Sequence, residues 1–367
     1  MYRCFDGHHL GLKKHGVQKF LSGLIDGLSQ LNPGISIFVG VKKTELEGLR
    51  EAFKGSSVEL LPYSTVGILR LIFDIPLILK KNKISTFYGQ YFIPIFTSKS
   101  IRYFITVHDI LYEDYPKFYS TFYILSRRYL INRSAKRSVK IFTISIFSKE
   151  RLNTKYNIDL EKIEVIPIQI EAPKGEILKD EELIEDNIVY VSRFEERKNH
   201  ERLISVFSKI PNTKSLTLIL VGFDVDGTKE KCIQLTKDLG LSDRVIFLEN
   251  IESNELEKLH VRSKVVIYPS LCEGLGMPIL EALLANSRVL FSNTTSMGEF
   301  IFAKRHMFNP FDEEDMYAKL ITLLDNPAIF KDDHYLTKAA IVKGYNLKVV
   351  SERYSSSLGL QDQDTIF

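Results

Sequence analysis

Two glutamates on either side of a glycine-rich loop are the residues best suited to chemistry in this sequence. The segment reads Tyr268-Pro-Ser-Leu-Cys-Glu273-Gly274-Leu275-Gly276-Met277-Pro278-Ile-Leu-Glu281. An apolar strand precedes it, and Pro278 suits the first position of a helix. Backbone amides at a helix N-terminus bind phosphate, and carboxylates accept hydrogen bonds from sugar hydroxyls. The spacing therefore predicts a site for a ligand that carries both phosphate and hydroxyl groups.

Two cations after an earlier strand supply charge of the opposite sign. Ile188-Val-Tyr-Val runs into Ser192-Arg193-Phe194, and Lys198-Asn199 precedes a helix that we expect from about residue 201. A diphosphate is bound by the guanidinium fork of an arginine and the point charge of a lysine. We expect Arg193 and Lys198 to contact the phosphates, and Asn199 to cap the helix.

A pair of aspartates raises the question of a metal ion. Asp224-Val-Asp226-Gly227 follows the strand that ends at Gly222. Such a pair can hold Mg²⁺ on a diphosphate, but Asp and Gly are also turn formers. We interpret the segment as a turn, because Arg193 and Lys198 already neutralise phosphate. No metal and no other cofactor is expected.

Short apolar runs alternate with amphipathic runs along the chain, such as the predicted helix Val17–Leu31. The predicted strands are Ile35–Val41, Val58–Pro62, Thr86–Tyr91, Tyr103–Val107, Ile141–Ser145, Ile163–Ile168, Ile188–Phe194, Leu216–Gly222, Val245–Leu248, Val265–Pro269 and Val289–Ser292. This alternation is typical of parallel sheets with right-handed crossovers. The length of 367 residues exceeds what one core holds. We predict an α/β protein with two doubly wound domains, 1–168 and 187–345, a polar linker at 169–186 and a last helix in 346–367.

The net charge of +3 is divided unevenly between the two halves. Residues 1–170 carry 25 basic and 14 acidic side chains, a net of +11, and the remainder carries 24 and 32, a net of −8. Six cations are concentrated on a predicted helix: Arg127, Arg128, Arg133, Lys136, Arg137 and Lys140. A solvated helix face is one interpretation, and attraction to anionic phospholipids or to a lipid-diphosphate acceptor is the other. Nucleic acid is not expected, because no binding motif accompanies the charge.

The cysteines and the N-terminus indicate a reducing compartment. Cys4, Cys232 and Cys272 are too scattered for a disulfide framework. The sequence shows no signal peptide, and its most apolar run, Val66–Leu79, is interrupted by charged residues and a proline. We predict a cytoplasmic protein, at the inner face of the plasma membrane if the basic half contacts lipid.

The second half of the chain resembles the family-4 retaining glycosyltransferases, which have the GT-B fold. Glu273 and Glu281 with Gly-Leu-Gly-Met-Pro between them resemble the family signature, and Ser192–Asn199 resembles its phosphate-binding motif. Val245–Ile251, which includes Asn250, resembles the segment that meets the base. Ser292–Glu299 resembles the loop that closes over the donor. The motifs occur in the family's order over residues 187–325.

The first half resembles the family more loosely. His15-Gly16-Val17 is similar to the glycine-rich first loop near the donor diphosphate, with His15 where the family often has a first glycine. His108 is similar to the family's histidine that faces the transferred sugar. Ile166–Gln169 departs from the family's usual Pro-Asn-Gly, and Tyr345–Leu358 resembles the last helix, which crosses back to the first domain.

The resemblance implies two Rossmann-like domains facing a cleft, with the acceptor in the first domain and the donor in the second. It implies retaining transfer of a hexose, of the mannose, rhamnose or glucose type, from a nucleotide diphosphate sugar. The acceptor would be a glycan or a polyprenyl-diphosphate-linked intermediate of a bacterial surface polysaccharide such as O-antigen. In this scheme Arg193, Lys198 and residues 274–277 stabilise the leaving diphosphate, Glu273 and His108 orient the sugar, and Glu281 binds the ribose.

Two other classes of function remain open. A nucleotide-sugar epimerase or a phosphorylase can share the two-domain shape, although no motif for the phosphorylase's pyridoxal cofactor is present. A degenerate, non-catalytic partner is the third possibility, and the presence of Arg193, Lys198, Glu273 and Glu281 argues against it.

Overall fold

The computed structural model describes residues 2–11, 16–32, 35–64, 67–170, 184–211, 215–330 and 334–360. The chain divides into two compact units. The first contains Met1–Gln169 and Gly344–Phe367, and the second contains Ile170–Lys343. Most of the predicted linker, residues 171–183, lies outside the described residues, as does His15.

The first unit is built on a parallel sheet of seven described strands in the order β3-β2-β1-β4-β5-β6-β7. The strands are β1 Arg3–Asp6, β2 Ile37–Lys42, β3 Val58–Tyr63, β4 Thr86–Gln90, β5 Arg102–Thr106, β6 Lys140–Thr143 and β7 Ile163–Val165. The helices are α1 Gly16–Leu31, α2 Leu46–Ala52, α3 Leu69–Ile72, α4 Asp74–Lys81, α5 Thr121–Arg137 and α6 Ile146–Tyr156, and α13 Leu347–Ser357 returns from the end of the chain. The strand order reverses between β1 and β4, as in doubly wound sheets.

The second unit repeats this design with six described strands, all parallel, in the order β10-β9-β8-β11-β12-β13. The strands are β8 Glu185–Val191, β9 Thr217–Val221, β10 Val245–Leu248, β11 Ser263–Tyr268, β12 Val289–Ser292 and β13 Met307–Phe308. The helices are α7 His200–Ser208, α8 Thr228–Asp238, α9 Ser253–Arg262, α10 Met277–Leu284 and α11 Glu313–Asp325, and α12 is His334–Tyr345. The order reverses between β8 and β11. The predicted α/β class with two doubly wound sheets is thus confirmed.

Each predicted strand is present within a few residues of its predicted bounds, but β1 and β13 were not predicted. The central strand β1 is only four residues long and carries Arg3 and Asp6 at its ends, so it lacks an apolar run. Asp6 is nevertheless completely buried. Its carboxylate accepts hydrogen bonds from Arg70 Nη2 at 3.1 Å and from the Tyr63 hydroxyl at 2.8 Å. These partners offset the cost of burying the charge.

Helix α13 packs against α1 within the first unit. Gly27 of α1 lies so close to Ser351 that an added Cβ would stand 2.8 Å from the Ser351 Cβ. Asn32 donates to the Ser355 hydroxyl at 3.3 Å, and the buried Tyr354 ring lies 4.8 Å from that of Phe142. The last helix is therefore part of the core of this unit.

The six cations of the basic segment do not form one solvated helix face. Five lie on α5, but Lys140 lies in β6. Most have partners inside the unit. Two form ion pairs, Arg128 with Glu113 and Lys140 with Glu164. The other three are arginines with neutral partners: Arg127 lies over the rings of Tyr91, Phe92 and Tyr123, Arg133 donates to the carbonyls of Pro94 and Ile95, and Arg137 donates to Thr97. The solvated-face interpretation therefore holds only in part: Arg128, Lys136 and Arg137 are exposed, whereas Arg127, Arg133 and Lys140 are half-buried.

Among the helices of the described residues, none is both long enough and apolar enough to cross a bilayer.

Candidate functional site

The loops after β8 and β11 meet at the point where the second sheet reverses its strand order. These two strands are neighbours in the sheet, so their carboxyl ends lie side by side. Ligands of open α/β sheets bind at this position. Residues 192–199 follow β8 and residues 269–276 follow β11, so the structure brings together the two segments that the sequence singled out.

Glu273 is held by two cations from the loop after β8. One carboxylate oxygen pairs with Lys198 Nζ, and the other lies 3.4 Å from Arg197 Nη1. Burial alone would raise the pKa of Glu273, but Lys198 and Arg197 outweigh it and lower that pKa to about 2. Burial and the neighbouring Arg197 lower the pKa of Lys198, against the opposing charge of Glu273. Glu273 is therefore ionised at neutral pH.

A second carboxylate extends this pair into a chain of alternating charges. Glu195 lies 2.7 Å from Arg193 Nη2 and 2.7 Å from Arg197 Nε. The Arg193 side chain is 50% exposed, whereas the others in the chain are between 13% and 18% exposed. Three cations and two carboxylates leave a net charge of +1, and Arg193 is the cation most accessible to a ligand.

Glu195 and Arg197 were not among the predicted site residues. Arg197 also donates to the carbonyl of Cys272 at 3.1 Å, and its own carbonyl accepts from the Leu271 amide at 2.8 Å. It therefore ties the loop after β8 to the loop after β11. The alternation of Glu and Arg next to Lys198 was the available signal, but the same pattern is common in solvated loops.

Asn199 fixes the backbone at Lys198, although not as predicted. It occupies the N-cap position of α7 with φ = 63°, and its side chain makes no capping hydrogen bond. The Asn199 amide donates instead to the carbonyls of Pro269 and Pro310, both at 3.1 Å. The predicted capping role is wrong, because the left-handed backbone turns the amide toward neighbouring loops.

The loop predicted to close over a donor contacts Glu273 directly. Thr295 Oγ1 accepts from the Glu273 amide at 3.1 Å, and Ser296 Oγ donates to the Glu273 carbonyl at 2.8 Å. The loop after β12 therefore fixes the backbone of Glu273, while Lys198 and Arg197 fix its carboxylate.

The glycine-rich loop leads into α10. Gly276 has φ = 87°, a conformation that favours glycine, and an added Cβ would stand 3.1 Å from Ile279 Cδ1. The helix begins at Met277, so Pro278 lies at its second position rather than its first. The first amides of an α-helix have no partner within the helix. Residues 274–277 thus supply donors and the positive end of a helix dipole beside Glu273.

Glu281 lies on α10, half-buried and one turn beyond the loop. The pKa of the Tyr268 hydroxyl is raised mainly by burial and further by the negative charge of Glu281. This interaction places Glu281 near the end of β11. Asn250 is exposed and follows β10 with φ = 55°. It lies on the same edge of the sheet, but two strands away from β8.

Asp224 and Asp226 form a turn before α8. Asp226 accepts from the Glu196 amide at 3.1 Å and from the Thr228 amide at 3.2 Å, and Asp224 accepts from the Lys229 amide at 3.3 Å. Within the described ranges, no group of three or more His, Cys, Asp or Glu side chains has the arrangement of a metal site.

His108 follows β5 in the first unit and is buried. Its Nε2 lies 2.8 Å from Gln90 Oε1, and its ring packs edge-on against Phe20 at 5.1 Å. Burial, and then the charge of His9, lowers the pKa of His108 to about 3, so the imidazole is neutral at pH 7. Gly16 is exposed at the first position of α1, and Val17 follows it half-buried.

Two family models match successive parts of the chain. The model of glycosyltransferase family 4 matches residues 15–171, and that of glycosyl transferases group 1 matches residues 174–343. The O-antigen chain mannosyltransferase RfbU of Salmonella typhimurium is 31% identical over 240 residues, 64% of each chain. The serotype-specific mannosyltransferase WbdA of Escherichia coli is 28% identical over 231 residues, 58% of this chain and 28% of WbdA.

Solved structures share the fold at lower sequence identity. The Anabaena protein HepE, in a complex with UDP-glucose, is 17% identical, with a TM-score of 0.72 over 98% of this chain and 99% of its own. The chain thus has the GT-B fold. Its sequence matches span less than two thirds of the length of either mannosyltransferase. Successive matches to both family models, together with this fold, place the chain in the family-4 glycosyltransferases.

Proposed function

We propose that the chain transfers a hexose from a nucleotide diphosphate sugar to an acceptor in the synthesis of a cell-surface polysaccharide. The observation that carries the proposal is the ion pair of Glu273 with Lys198 and Arg197 beside the N-terminus of α10. Cations and helix amides suit a diphosphate, and an ionised carboxylate suits the hydroxyls of a sugar.

The diphosphate binds to Arg193, Lys198 and the backbone amides of residues 274–277. The half-exposed Arg193 makes the first contact, and Lys198 reaches the phosphate from its position against Glu273. These groups stabilise the negative charge that develops on the leaving diphosphate. We propose that the diphosphate binds without a metal ion or another cofactor.

The two glutamates bind different parts of the donor. Glu273, ionised and fixed at both backbone and carboxylate, accepts hydrogen bonds from the transferred sugar. Glu281 accepts from the ribose of the nucleotide, and the segment with Asn250 meets the base. For Gly16, Val17 and His108 the resemblance alone supports a role at the donor, and those roles stay predictions.

We propose a front-face reaction with retention of the anomeric configuration. The bond from the anomeric carbon to the diphosphate oxygen breaks, and a bond to the acceptor oxygen forms on the same face. The proton of the acceptor hydroxyl passes to the departing phosphate. A covalent glycosyl-enzyme trapped on any carboxylate would replace this route with a double displacement.

The names of the relatives support the choice of substrates. RfbU and WbdA are named mannosyltransferases, so mannose is the first sugar to test, followed by rhamnose and glucose. The acceptor is a glycan or a polyprenyl-diphosphate-linked intermediate. Such an acceptor places the reaction at the inner face of the plasma membrane, with peripheral contact to anionic lipid.

A transfer assay tests the proposal. The purified chain is incubated with GDP-mannose, dTDP-rhamnose or UDP-glucose and a polyprenyl-diphosphate-linked glycan, and the product is analysed by NMR. One donor should yield a new glycosidic bond that keeps the anomeric configuration of that donor, with release of its nucleoside diphosphate. Release of nucleoside diphosphate without a new bond would favour an epimerase. Binding of a donor without turnover would favour a non-catalytic partner.

A further inference from the structure

The first unit contains a cavity at the edge of its sheet where β4 and β5 begin. Its volume is about 680 Å³, and its walls come from α4, from the start of β4 and from residues 96–103. Ile84 and Ser85 immediately precede β4, and Ser100 and Ile101 precede β5. The cavity therefore belongs to the amino edge of the sheet.

This edge is remote from His108, which lies at the opposite end of the same strand. β5 spans Arg102–Thr106, five residues, which corresponds to roughly 16 Å of extended chain. Ile101 lines the cavity, and His108 follows the strand at its carboxyl end. A ligand in the cavity is thus too far from the carboxyl edge to be the reacting acceptor.

The cavity combines apolar walls with cations. Leu79 and Ile84 are buried in its floor, and Phe96 at its mouth is 66% exposed. Lys80 and Lys83 line it and are both exposed. In the part of the chain that the structure describes, neither lysine ammonium has an ion-pair partner.

Further polar groups lie along the same wall. The Arg137 guanidinium donates to Thr97 Oγ1 from Nε and Nη2, both at 3.2 Å, so α5 contributes a third cation beside the cavity. The Ser98 and Ser100 hydroxyls lie 2.8 Å apart. Hydroxyls and cations at the rim of an apolar cavity match a phosphate joined to a hydrocarbon chain.

The surrounding sequence carries no negative charge to oppose an anion. Residues 75–108 contain Lys80, Lys81, Lys83, Lys99 and Arg102, and no aspartate or glutamate. The cations of the basic segment on α5 are mostly occupied by partners, whereas Lys80 and Lys83 are not. Lys80 and Lys83 are therefore two exposed cations that an anionic ligand of the cavity can reach.

We propose that this cavity binds one anionic phospholipid of a bilayer. Its phosphate lies against Lys80 and Lys83, and the start of an acyl chain lies on Phe96 and Leu79. The lipid anchors the unit at the membrane surface and takes no part in transfer. The proposal rests on the proposed function only in naming the site of its lipid contact, because the cavity lies at a different edge of the sheet from the predicted transfer chemistry and takes a different ligand.

Vesicle co-sedimentation of the full chain tests this site. Vesicles of phosphatidylglycerol and phosphatidylcholine in equal parts are compared with vesicles of phosphatidylcholine alone. The double variant Lys80→Glu/Lys83→Glu should bind the anionic vesicles at least about tenfold more weakly. The double variant Lys237→Glu/Lys343→Glu makes the same charge change at exposed positions of the second unit and should bind them like the parent chain.

Two further variants separate a cavity from a diffuse patch of charge. Ser100→Trp fills the cavity and Phe96→Ser removes its apolar mouth, and neither changes a charge. Both should weaken vesicle binding. Soluble dihexanoyl phosphatidylglycerol should bind the parent chain and compete with vesicles, whereas glycerol 3-phosphate should not.

Several results would overturn the proposal. Equal loss of binding in the control variant, or full binding by Ser100→Trp, would show that only diffuse charge attracts lipid. Equal binding of glycerol 3-phosphate would make the site one for a small anion. Far-UV circular dichroism and thermal unfolding report whether each variant is folded. Vesicle binding is read without any donor, so failure of the transfer assay leaves this test intact.

Discussion

The ammonium group of Lys198 and the carboxylate of Glu273 form an ion pair across the carboxyl ends of β8 and β11. The sequence assigned the lysine to a diphosphate and the glutamate to a sugar, so the two charges appeared to serve separate parts of a ligand. In the structure each fixes the other. A bound donor would therefore contact the ammonium and the carboxylate as a pair whose positions are fixed before binding.

Removal of either predicted phosphate cation should weaken the donor site to different extents. Lys198→Ala leaves Glu273 without its closest partner, and we expect kcat/KM for transfer to fall about 10²–10³-fold. Arg193→Ala removes a half-exposed cation, and we expect a smaller loss of about tenfold in nucleotide affinity. Steady-state kinetics and calorimetry measure both effects. Lys237→Ala, at an exposed position of α8, is the control and should change neither value.

The two glutamates should be separable by ligand. Glu273→Gln keeps the shape of the side chain but loses the charge that orients the sugar, so kcat should fall about 10²-fold while affinity for the free nucleoside diphosphate is kept. Glu281→Gln should lower the affinity for the free nucleoside diphosphate about tenfold. Calorimetry with the nucleotide alone and with the nucleotide sugar distinguishes them. Identical effects of both variants on both ligands would contradict the assignment.

The Glu273 ion pairs should make a pH-dependent contribution to stability. Folding lowers the pKa of Glu273 to about 2, below the value of about 4.3 expected in an unfolded chain. The contribution is therefore complete above about pH 4.3 and is lost as the pH falls toward 2. The free energy of unfolding should differ more between the parent chain and Glu273→Gln at pH 7 than at about pH 3. Urea denaturation measures it, and an unchanged or larger difference at the lower pH would refute the ion-pair account.

The contact between α1 and α13 predicts an effect far from the site. Gly27→Ala places a Cβ against Ser351 and should lower the free energy of unfolding by about 1–3 kcal/mol. Gly344→Ala in α12 is the matched control, because a Cβ there meets nothing within 4 Å and alanine favours a helix. We expect it to be neutral or stabilising by about 1 kcal/mol. Adding Ser351→Gly to Gly27→Ala should recover part of the lost stability. Thermal unfolding measures Gly27→Ala, Gly344→Ala and this double variant.

Periodicity predicted most of the fold, because strands of a parallel sheet are buried on both faces and form apolar runs. It did not predict β1, because the charged Arg3 and Asp6 interrupt its apolar pattern. The buried charge of Asp6 is stabilised by hydrogen bonds from Arg70 and Tyr63, which are distant in the sequence. The predicted site residues of the second unit that follow β8 and β11 lie together, because parallel strands bring their carboxyl ends to one edge.

Other features of the site depend on contacts between loops that no local pattern encodes. Arg197 stands beside Lys198 in the sequence, yet its importance comes from reaching Cys272 and Glu273 on another loop. Asn199 matches the pattern of a helix cap, but its left-handed backbone directs the amide to Pro269 and Pro310. Local preference was overridden at both positions by tertiary hydrogen bonds.

Nucleotide-dependent thermal stability of the parent chain and Lys198→Ala tests the central claim most directly. GDP, UDP and dTDP are each added at concentrations well above a micromolar Kd, and the shift in Tm follows the mass-action stabilisation of the folded state. We expect one nucleotide to raise the Tm of the parent chain and of Lys237→Ala, and to raise that of Lys198→Ala much less. If no nucleoside diphosphate shifts the Tm, or if Lys198→Ala responds as strongly as the parent chain, the ion pair at β8 and β11 is not the donor site.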